Sequence, residues 1–121
     1  MPKPPKTEVN QVIQGAPVIQ VPDPQSTAEY YRDVFGFEFD FSHDSGFYTV
    51  VWRDNAAIHF VRGEEPATGV RIFLWVKDAD EVFAEFSKAG ANITVDIGDR
   101  DYGVRDFGVV DCNGLDISVG H

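Results

Sequence analysis

The sequence predicts an α+β fold built from two copies of one unit, each consisting of a strand, a helix and then three further strands. In both halves of the chain, an apolar strand ends at a junction that carries an aspartate, Asp23 in the first half and Asp78 in the second. Each half also places a turn between its last two strands, at Asp54-Asn55 and at Asn113-Gly114. A pattern that recurs over this length indicates two similar modules.

The first half contains one helix and four strands. Pro17–Val21 is the first apolar strand, and Pro22-Asp23-Pro24 ends it. A helix is predicted from Ser26 to Val34, with Ser26 or Thr27 near its start and Gly36 at its end. Three strands are predicted after it: Phe37–Phe41, Phe47–Arg53 and Ala56–Arg62.

The second half repeats this order. Val70–Val76 is the strand, and Asp78 or Asp80 caps a helix that runs to Lys88 and stops at Gly90. The remaining strands are predicted near Ile93–Val95, Val104–Val110 and Leu115–Val119.

Composition narrows the class of protein and its partners. A chain of 121 residues with 43% hydrophobic residues suits one domain, and no apolar run is long enough for a membrane helix. The N-terminal residues lack the apolar core of a signal peptide, and the single cysteine, Cys112, excludes an internal disulfide, so we expect a cytoplasmic protein. A net charge of −10 disfavours nucleic acid and anionic membranes as partners. The same charge mildly favours a cationic ligand.

Two segments give the chain a family resemblance. The first is Val21-Pro22-Asp23 followed by the segment 29–37, and the second is Tyr102-Gly103 followed by Arg105-Asp106-Phe107 and the turn at residues 111–114. Together they resemble the vicinal-oxygen-chelate superfamily of glyoxalases, dioxygenases and bleomycin-resistance proteins, and the bleomycin-resistance branch most. The resemblance implies two βαβββ modules that form a cupped mixed sheet with helices on its outer face. It also implies a homodimer whose binding cleft forms between paired modules.

On this basis, residues 1–15 are expected to form a flexible tail or arm, and residues 16–121 a single domain. Within that domain, module one covers residues 16–63, a linker covers 64–69, and module two covers 70–121.

The resemblance also locates the places where the metalloenzymes of the superfamily hold their metal. Those places are Ala16, His59, Arg71 and Ser118 in this chain. Alanine has no donor atom, arginine is a permanent cation, and a serine hydroxyl is a weak ligand beside the usual glutamate. The sequence therefore predicts neither a metal nor another cofactor.

Strand alternation predicts the residues that line the cup, because successive side chains point to opposite faces of a sheet. In Val70–Val76 the face of Val70 and Ile72 is aliphatic, so the opposite face should be the binding face. The predicted ligand-binding residues are Gln20, His59, Arg71, Phe73, Trp75, Tyr102, Asp116 and Ser118. Aromatic walls with a few polar groups are typical of a small-molecule site.

Five of these residues also have a structural interpretation. Phe73 and Trp75 could belong to a dimer interface, Arg71 and Asp116 could form a structural ion pair, and His59 could be a hydrogen-bonded histidine without a ligand.

The favoured function is a metal-free binding protein that sequesters an aromatic, cationic compound in a dimeric cleft, as antibiotic-resistance proteins of this type do. The alternative is a lyase, isomerase or dioxygenase with an atypical site, in which His59 acts as a general base and Arg71 stabilises an oxyanion. A third interpretation is a structural or regulatory module whose cup is filled by its dimer partner.

Overall fold

The computed structural model describes residues 11–121, which contain two helices and eight strands in two four-stranded mixed sheets. This confirms the predicted α+β class and the repeated strand–helix–three-strand order. The chain divides into two compact units, the first ending at Ala67 and the second comprising Thr68–His121. Residues 1–10 of the predicted arm lie outside the described residues, and residues 11–17 form neither helix nor strand.

The first unit contains β1 (Val18–Val21), α1 (Pro24–Phe35), β2 (Glu38–Ser42), β3 (Tyr48–Arg53) and β4 (Ala56–Arg62). Its sheet has the strand order β1-β4-β3-β2, in which β1 and β4 are parallel and the other pairs are antiparallel.

The second unit contains β5 (Arg71–Trp75), α2 (Ala79–Lys88), β6 (Asn92–Asp99), β7 (Arg105–Val110) and β8 (Asp116–Gly120). Its strand order, β5-β8-β7-β6, has the same connectivity as the first sheet, with a parallel β5–β8 pair. The two units are therefore two copies of one topology.

Aspartates begin both helices by accepting hydrogen bonds from backbone amides of the first turn. The Asp23 carboxylate accepts from the Ser26 amide at 3.1 Å, and that of Asp78 accepts from the Glu81 amide at 3.1 Å. Because Asp23 is the cap and Pro24 occupies the first turn, α1 begins two residues before the predicted start at Ser26. In the second helix the cap is Asp78 rather than Asp80.

Each helix packs on one face of the sheet in its own unit. In the first unit, the fully buried Tyr31 and Phe35 of α1 contact each other at a ring-centroid distance of 5.0 Å, and Tyr31 contacts Phe60 of β4 at the same distance. In the second unit, Phe86 of α2 packs edge-on against Phe107 of β7. The opposite face of each sheet is called its open face below.

The predicted first strand, Pro17–Val21, needs one correction. Its Ile19 and Val21 are buried, but Pro17 is exposed and lies outside β1, which begins only at Val18. None of the helices formed by residues 11–121 is long and apolar enough to span a membrane.

Candidate ligand-binding face

The open face of the second sheet carries most of the predicted binding residues. Strands β5 and β8 run in parallel register, which pairs Arg71 with Asp116 and Phe73 with Ser118. Residues paired in this way point to the same side of the sheet. The alternating exposure of β5, in which Arg71, Phe73 and Trp75 are the exposed residues, shows that this side is the one away from α2.

Three aromatic side chains of the second unit are exposed, and we call them the aromatic platform: Phe73, Trp75 and Tyr102. Their exposed fractions are 41%, 69% and 65%. The rings of Phe73 and Trp75 lie 4.5 Å apart at an interplanar angle of 45°, and Tyr102 lies in the turn between β6 and β7. Exposed aromatic surface of this kind commonly marks an interaction site.

A buried carboxylate, Asp106 of β7, holds Tyr102 in place. The Tyr102 hydroxyl donates a hydrogen bond to Asp106 Oδ2 at 2.8 Å, and Arg100 Nε donates to Asp106 Oδ1 at 2.7 Å. The Arg100 guanidinium also donates to the backbone carbonyl oxygens of Asp96, at 2.7 Å, and of Asp106, at 3.0 Å. Arg100 therefore joins β6 to β7 beneath the turn that carries Tyr102.

This cluster keeps Asp106 ionised and Tyr102 protonated. Burial raises the pKa of Asp106, but the hydrogen bonds from Arg100 and Tyr102 outweigh it and hold that pKa below its ordinary value. The hydrogen bond to Asp106 and burial both raise the pKa of Tyr102 above 10. At neutral pH the phenol is thus a hydrogen-bond donor to a carboxylate.

Gly120 of β8 gives Phe73 and Asp106 room to approach each other. A Cβ atom built on Gly120 would lie 2.8 Å from Asp106 Cβ, 3.0 Å from the carbonyl oxygen of Arg105 and 3.1 Å from Phe73 Cζ. Gly120 is itself paired in register with Asp106. The phenylalanine ring and the carboxylate that anchors Tyr102 therefore flank the same glycine.

The polar residues at the β5–β8 end of the face remain available to a ligand. Arg71 and Asp116 are both exposed, and no ion pair joins them in the described chain, although their Cα atoms are paired across the two strands. Ser118 is half-buried between them and Gly120. The interpretation of Arg71 and Asp116 as a structural ion pair is therefore wrong.

The predicted residues of the first unit have partners of their own. Tyr48 Oη and His59 Nδ1 lie 2.6 Å apart and share a hydrogen bond, and burial lowers the pKa of His59 below 6.5. Burial also raises the pKa of Tyr48. The Gln20 amide donates to the Glu65 carbonyl oxygen at 3.0 Å, and its side chain lies against Gly63.

The structure thus places six of the eight predicted residues in the second unit and two, Gln20 and His59, in the first. Sequence reasoning did not select Asp106 or Arg100 as members of the site. The sequence nevertheless predicts the direction of Asp106. Its neighbour Phe107, like Val109, is apolar and buried on the helix side, so strand alternation puts Asp106 on the open face. Arg100 lies outside the strands, next to a turn, so alternation does not predict where its side chain points.

The residues at the family's metal places do not fit a metal. His59 is one imidazole, already bonded through Nδ1 to Tyr48, while Arg71 brings a positive charge and Ala16 no donor. Among residues 11–121, no three His, Cys, Asp or Glu side chains lie close enough together to hold a metal ion.

Comparison with known proteins identifies the family. The model of the Glyoxalase/Bleomycin resistance protein/Dioxygenase superfamily matches residues 13–119. The chain belongs to this superfamily. This confirms the resemblance drawn from the segments around Val21–Phe37 and around Tyr102–Gly114. No curated protein matches the sequence significantly.

Several solved structures share the fold. TioX from Micromonospora sp. ML1 has a TM-score of 0.76 at 22% identity, covering 89% of this chain and 97% of its own. The bleomycin-binding protein from bleomycin-producing Streptomyces verticillus, solved with copper(II)-bleomycin, has a TM-score of 0.75 at 23% identity, covering 92% and 97%. A glyoxalase-related enzyme from Clostridium phytofermentans has a TM-score of 0.76 at 20% identity, covering 94% and 98%. At these identities the likeness establishes the fold.

Proposed function

We propose that this protein binds a small aromatic compound without altering it, on the open face of the second sheet and without a metal or other cofactor. The observation that carries the proposal is the aromatic platform, in which Phe73, Trp75 and Tyr102 are exposed although each ring is large. Bleomycin-binding proteins among the structural neighbours make the same kind of function reasonable for this fold. Sequestration of a toxic compound in the cytoplasm would then protect the cell.

The platform is suited to a planar ligand because its rings are fixed before binding. Phe73 and Trp75 contact each other, and the Tyr102 hydroxyl is anchored to a buried carboxylate. Stacking and cation–π contacts each contribute about 0.5–2 kcal/mol. Rings that are already ordered lose less conformational entropy when the ligand arrives.

The charge distribution favours a ligand with a positive charge on or near its ring. The whole chain carries a net charge of −10, and Asp116 on this face is exposed and outside the ion pairs of the described residues. The Asp106 carboxylate is committed to Arg100 and Tyr102 and so is not a partner for the ligand. Arg71, two residues before Phe73 on the same face, offers a donor to a carbonyl or anionic group of the same ligand.

We further propose that a homodimer completes the site. One open sheet face buries little of a ligand, whereas small-molecule sites enclose most of the ligand surface. Val95, 49% exposed on the open side of β6, extends the apolar surface beyond the platform. A second copy that covered this surface would turn an exposed face into a cleft.

One observation favours an enzyme as the second candidate. The imidazole of His59 has a lowered pKa and shares a hydrogen bond with Tyr48, so it is neutral at pH 7 and could accept a proton from a substrate. A change in the ligand's mass or spectrum after incubation with the protein, lost in His59→Gln, would favour this candidate.

Calorimetric titration with bleomycin and with N-methylacridinium, a planar aromatic cation, tests the binding proposal. Trp75→Ala should weaken binding about three- to thirtyfold, which corresponds to the loss of one stacking or cation–π contact. Trp52→Ala, which removes the other tryptophan, on the open side of the first sheet, is the matched control and should bind as the wild type does. The proposal is overturned if neither compound binds at about 1 mM, or if Trp75→Ala and Trp52→Ala have equal effects.

A further inference from the structure

We propose that Asp106 is a positioning residue for the ligand site, which acts by fixing the ring of Tyr102 on the open face that carries Phe73 and Trp75. The inference rests on the proposed binding function and assigns to that site a residue whose carboxylate is bonded to Arg100 and Tyr102 rather than offered to the ligand. It also explains why a charged side chain is buried in β7 of the second unit, where Phe107, Gly108 and Val109 follow it.

The burial of Asp106 is the first step. Its side chain is 10% exposed, and an unpaired buried carboxylate would be strongly destabilising. Arg100 satisfies Oδ1 and contributes the compensating charge, at 2.7 Å. An arginine alone can pair with both oxygens of a carboxylate, yet here Oδ2 is given to the Tyr102 hydroxyl at 2.8 Å.

The exposure of Tyr102 is the second step. A tyrosine in a surface turn with 65% of its area exposed has few packing contacts to hold its ring. The following residue, Gly103, has a φ of 88°, so the turn itself depends on a glycine conformation. The hydrogen bond to Asp106 is therefore the contact that restrains the ring, and hydrogen bonds to charged groups are stronger than those between neutral groups.

The position of Asp106 relative to the rings of Phe73 and Trp75 is the third step. Phe73 Cζ and Asp106 Cβ both lie within 3.1 Å of the point where a Cβ on Gly120 would stand. Trp75 is paired in register with the same Gly120. A tyrosine anchored to Asp106 is therefore tethered on the same open face as Phe73 and Trp75, across the strand position that Gly120 occupies.

A double-mutant cycle with Tyr102→Phe and Asp106→Asn tests this role, using N-methylacridinium as the probe. Each single variant should weaken binding about two- to tenfold, because the ring of residue 102 must then be ordered during binding. The double variant should be no weaker than either single one, since both remove the same charge-assisted hydrogen bond between the Tyr102 hydroxyl and the Asp106 carboxylate. Tyr30→Phe, which removes a hydroxyl from α1, is the matched control and should not change binding.

The pKa of Tyr102 reports on its hydrogen bond to Asp106 without any ligand. In protein labelled with ¹³Cζ-tyrosine, the pKa of Tyr102 should fall toward 10 in Asp106→Asn, and Tyr102→Phe identifies the signal. If Asp106→Asn does not fold, Tyr102→Phe alone still tests the proposal, because it changes only a surface hydroxyl.

The outcomes separate this inference from the proposed function. If Trp75→Ala weakens binding while Tyr102→Phe binds as tightly as the wild type, the positioning role is wrong and the binding function stands. Additive losses in the cycle would likewise contradict the role. If the wild type binds no probe, the proposed function fails, and the positioning role fails with it.

Discussion

The two sheets share one topology but present different chemistry on their open faces. In the first unit, the face away from α1 carries the Tyr48–His59 pair and the buried Val50 and Ala57, so its central groups are already in contact with one another. In the second unit, the corresponding face carries Phe73 and Trp75, both exposed, above the glycine at position 120. The repeat therefore fixes the scaffold, whereas the side chains on the open faces differ between the two copies, and only the second copy exposes a pair of aromatic rings in contact there.

The largest effect should show that the helix-facing sides of the two sheets are equivalent. Phe60→Ala and Phe107→Ala each remove a fully buried ring, and each should lower the free energy of unfolding by about 3–5 kcal/mol. Urea denaturation followed by circular dichroism measures both losses. A loss below about 1 kcal/mol in either variant would show that its unit does not depend on that core.

A smaller effect should distinguish the open faces. Gly120→Ala places a Cβ atom 2.8 Å from Asp106 Cβ and 3.0 Å from a backbone oxygen, so it should cost about 1–3 kcal/mol of stability. Binding of N-methylacridinium should weaken at the same time, because Phe73 must move. Gly15→Ala is the control, since nothing lies within 4 Å of its added Cβ, and it should change neither property. Equal behaviour of the two variants would contradict the close packing at Gly120.

The smallest expected effect is the pH dependence of stability that His59 causes in the first unit. The folded-state pKa of His59 lies below 6.5, so the unfolded chain takes up this proton first as the pH falls. The contribution to stability is complete above about pH 6.5 and is lost as the pH falls below it toward the folded-state pKa. The urea midpoint of the wild type should therefore decline between pH 8 and pH 5. The decline should be less steep in His59→Gln, and the difference should correspond to the protonation of one group. An identical decline in both proteins would show that His59 is not held neutral.

Much of the scaffold could be predicted from local signals. Asp78 was among the two caps expected for the second helix, and alternation correctly separated the half-buried aliphatic residues of β5 from its exposed ones. Boundaries were less accurate where a cap lay outside the apolar pattern, as at Asp23, which begins α1 before Ser26. Helix ends depend on a single side-chain hydrogen bond, which periodicity does not show.

The candidate site was predictable only where strand alternation determines the face of the sheet to which a side chain points. Phe73 and Trp75 follow directly from the aliphatic residues between and beside them, but the partners of Tyr102 and Gln20 depend on turns and loops. The absence of an ion pair between Arg71 and Asp116 could not be deduced either, because register places the Cα atoms and not the charged groups.

The two tryptophans allow the most direct test of the difference between the sheets. Trp52 lies on the open side of the first sheet and donates its indole N–H to Asp40 at 2.9 Å, whereas Trp75 is 69% exposed on the second. In ¹⁵N-labelled protein titrated with N-methylacridinium, the indole N–H signal of Trp75 should shift with saturation while that of Trp52 stays in place. A shift of Trp52 with an unmoved Trp75 would contradict the assignment of binding to the second sheet.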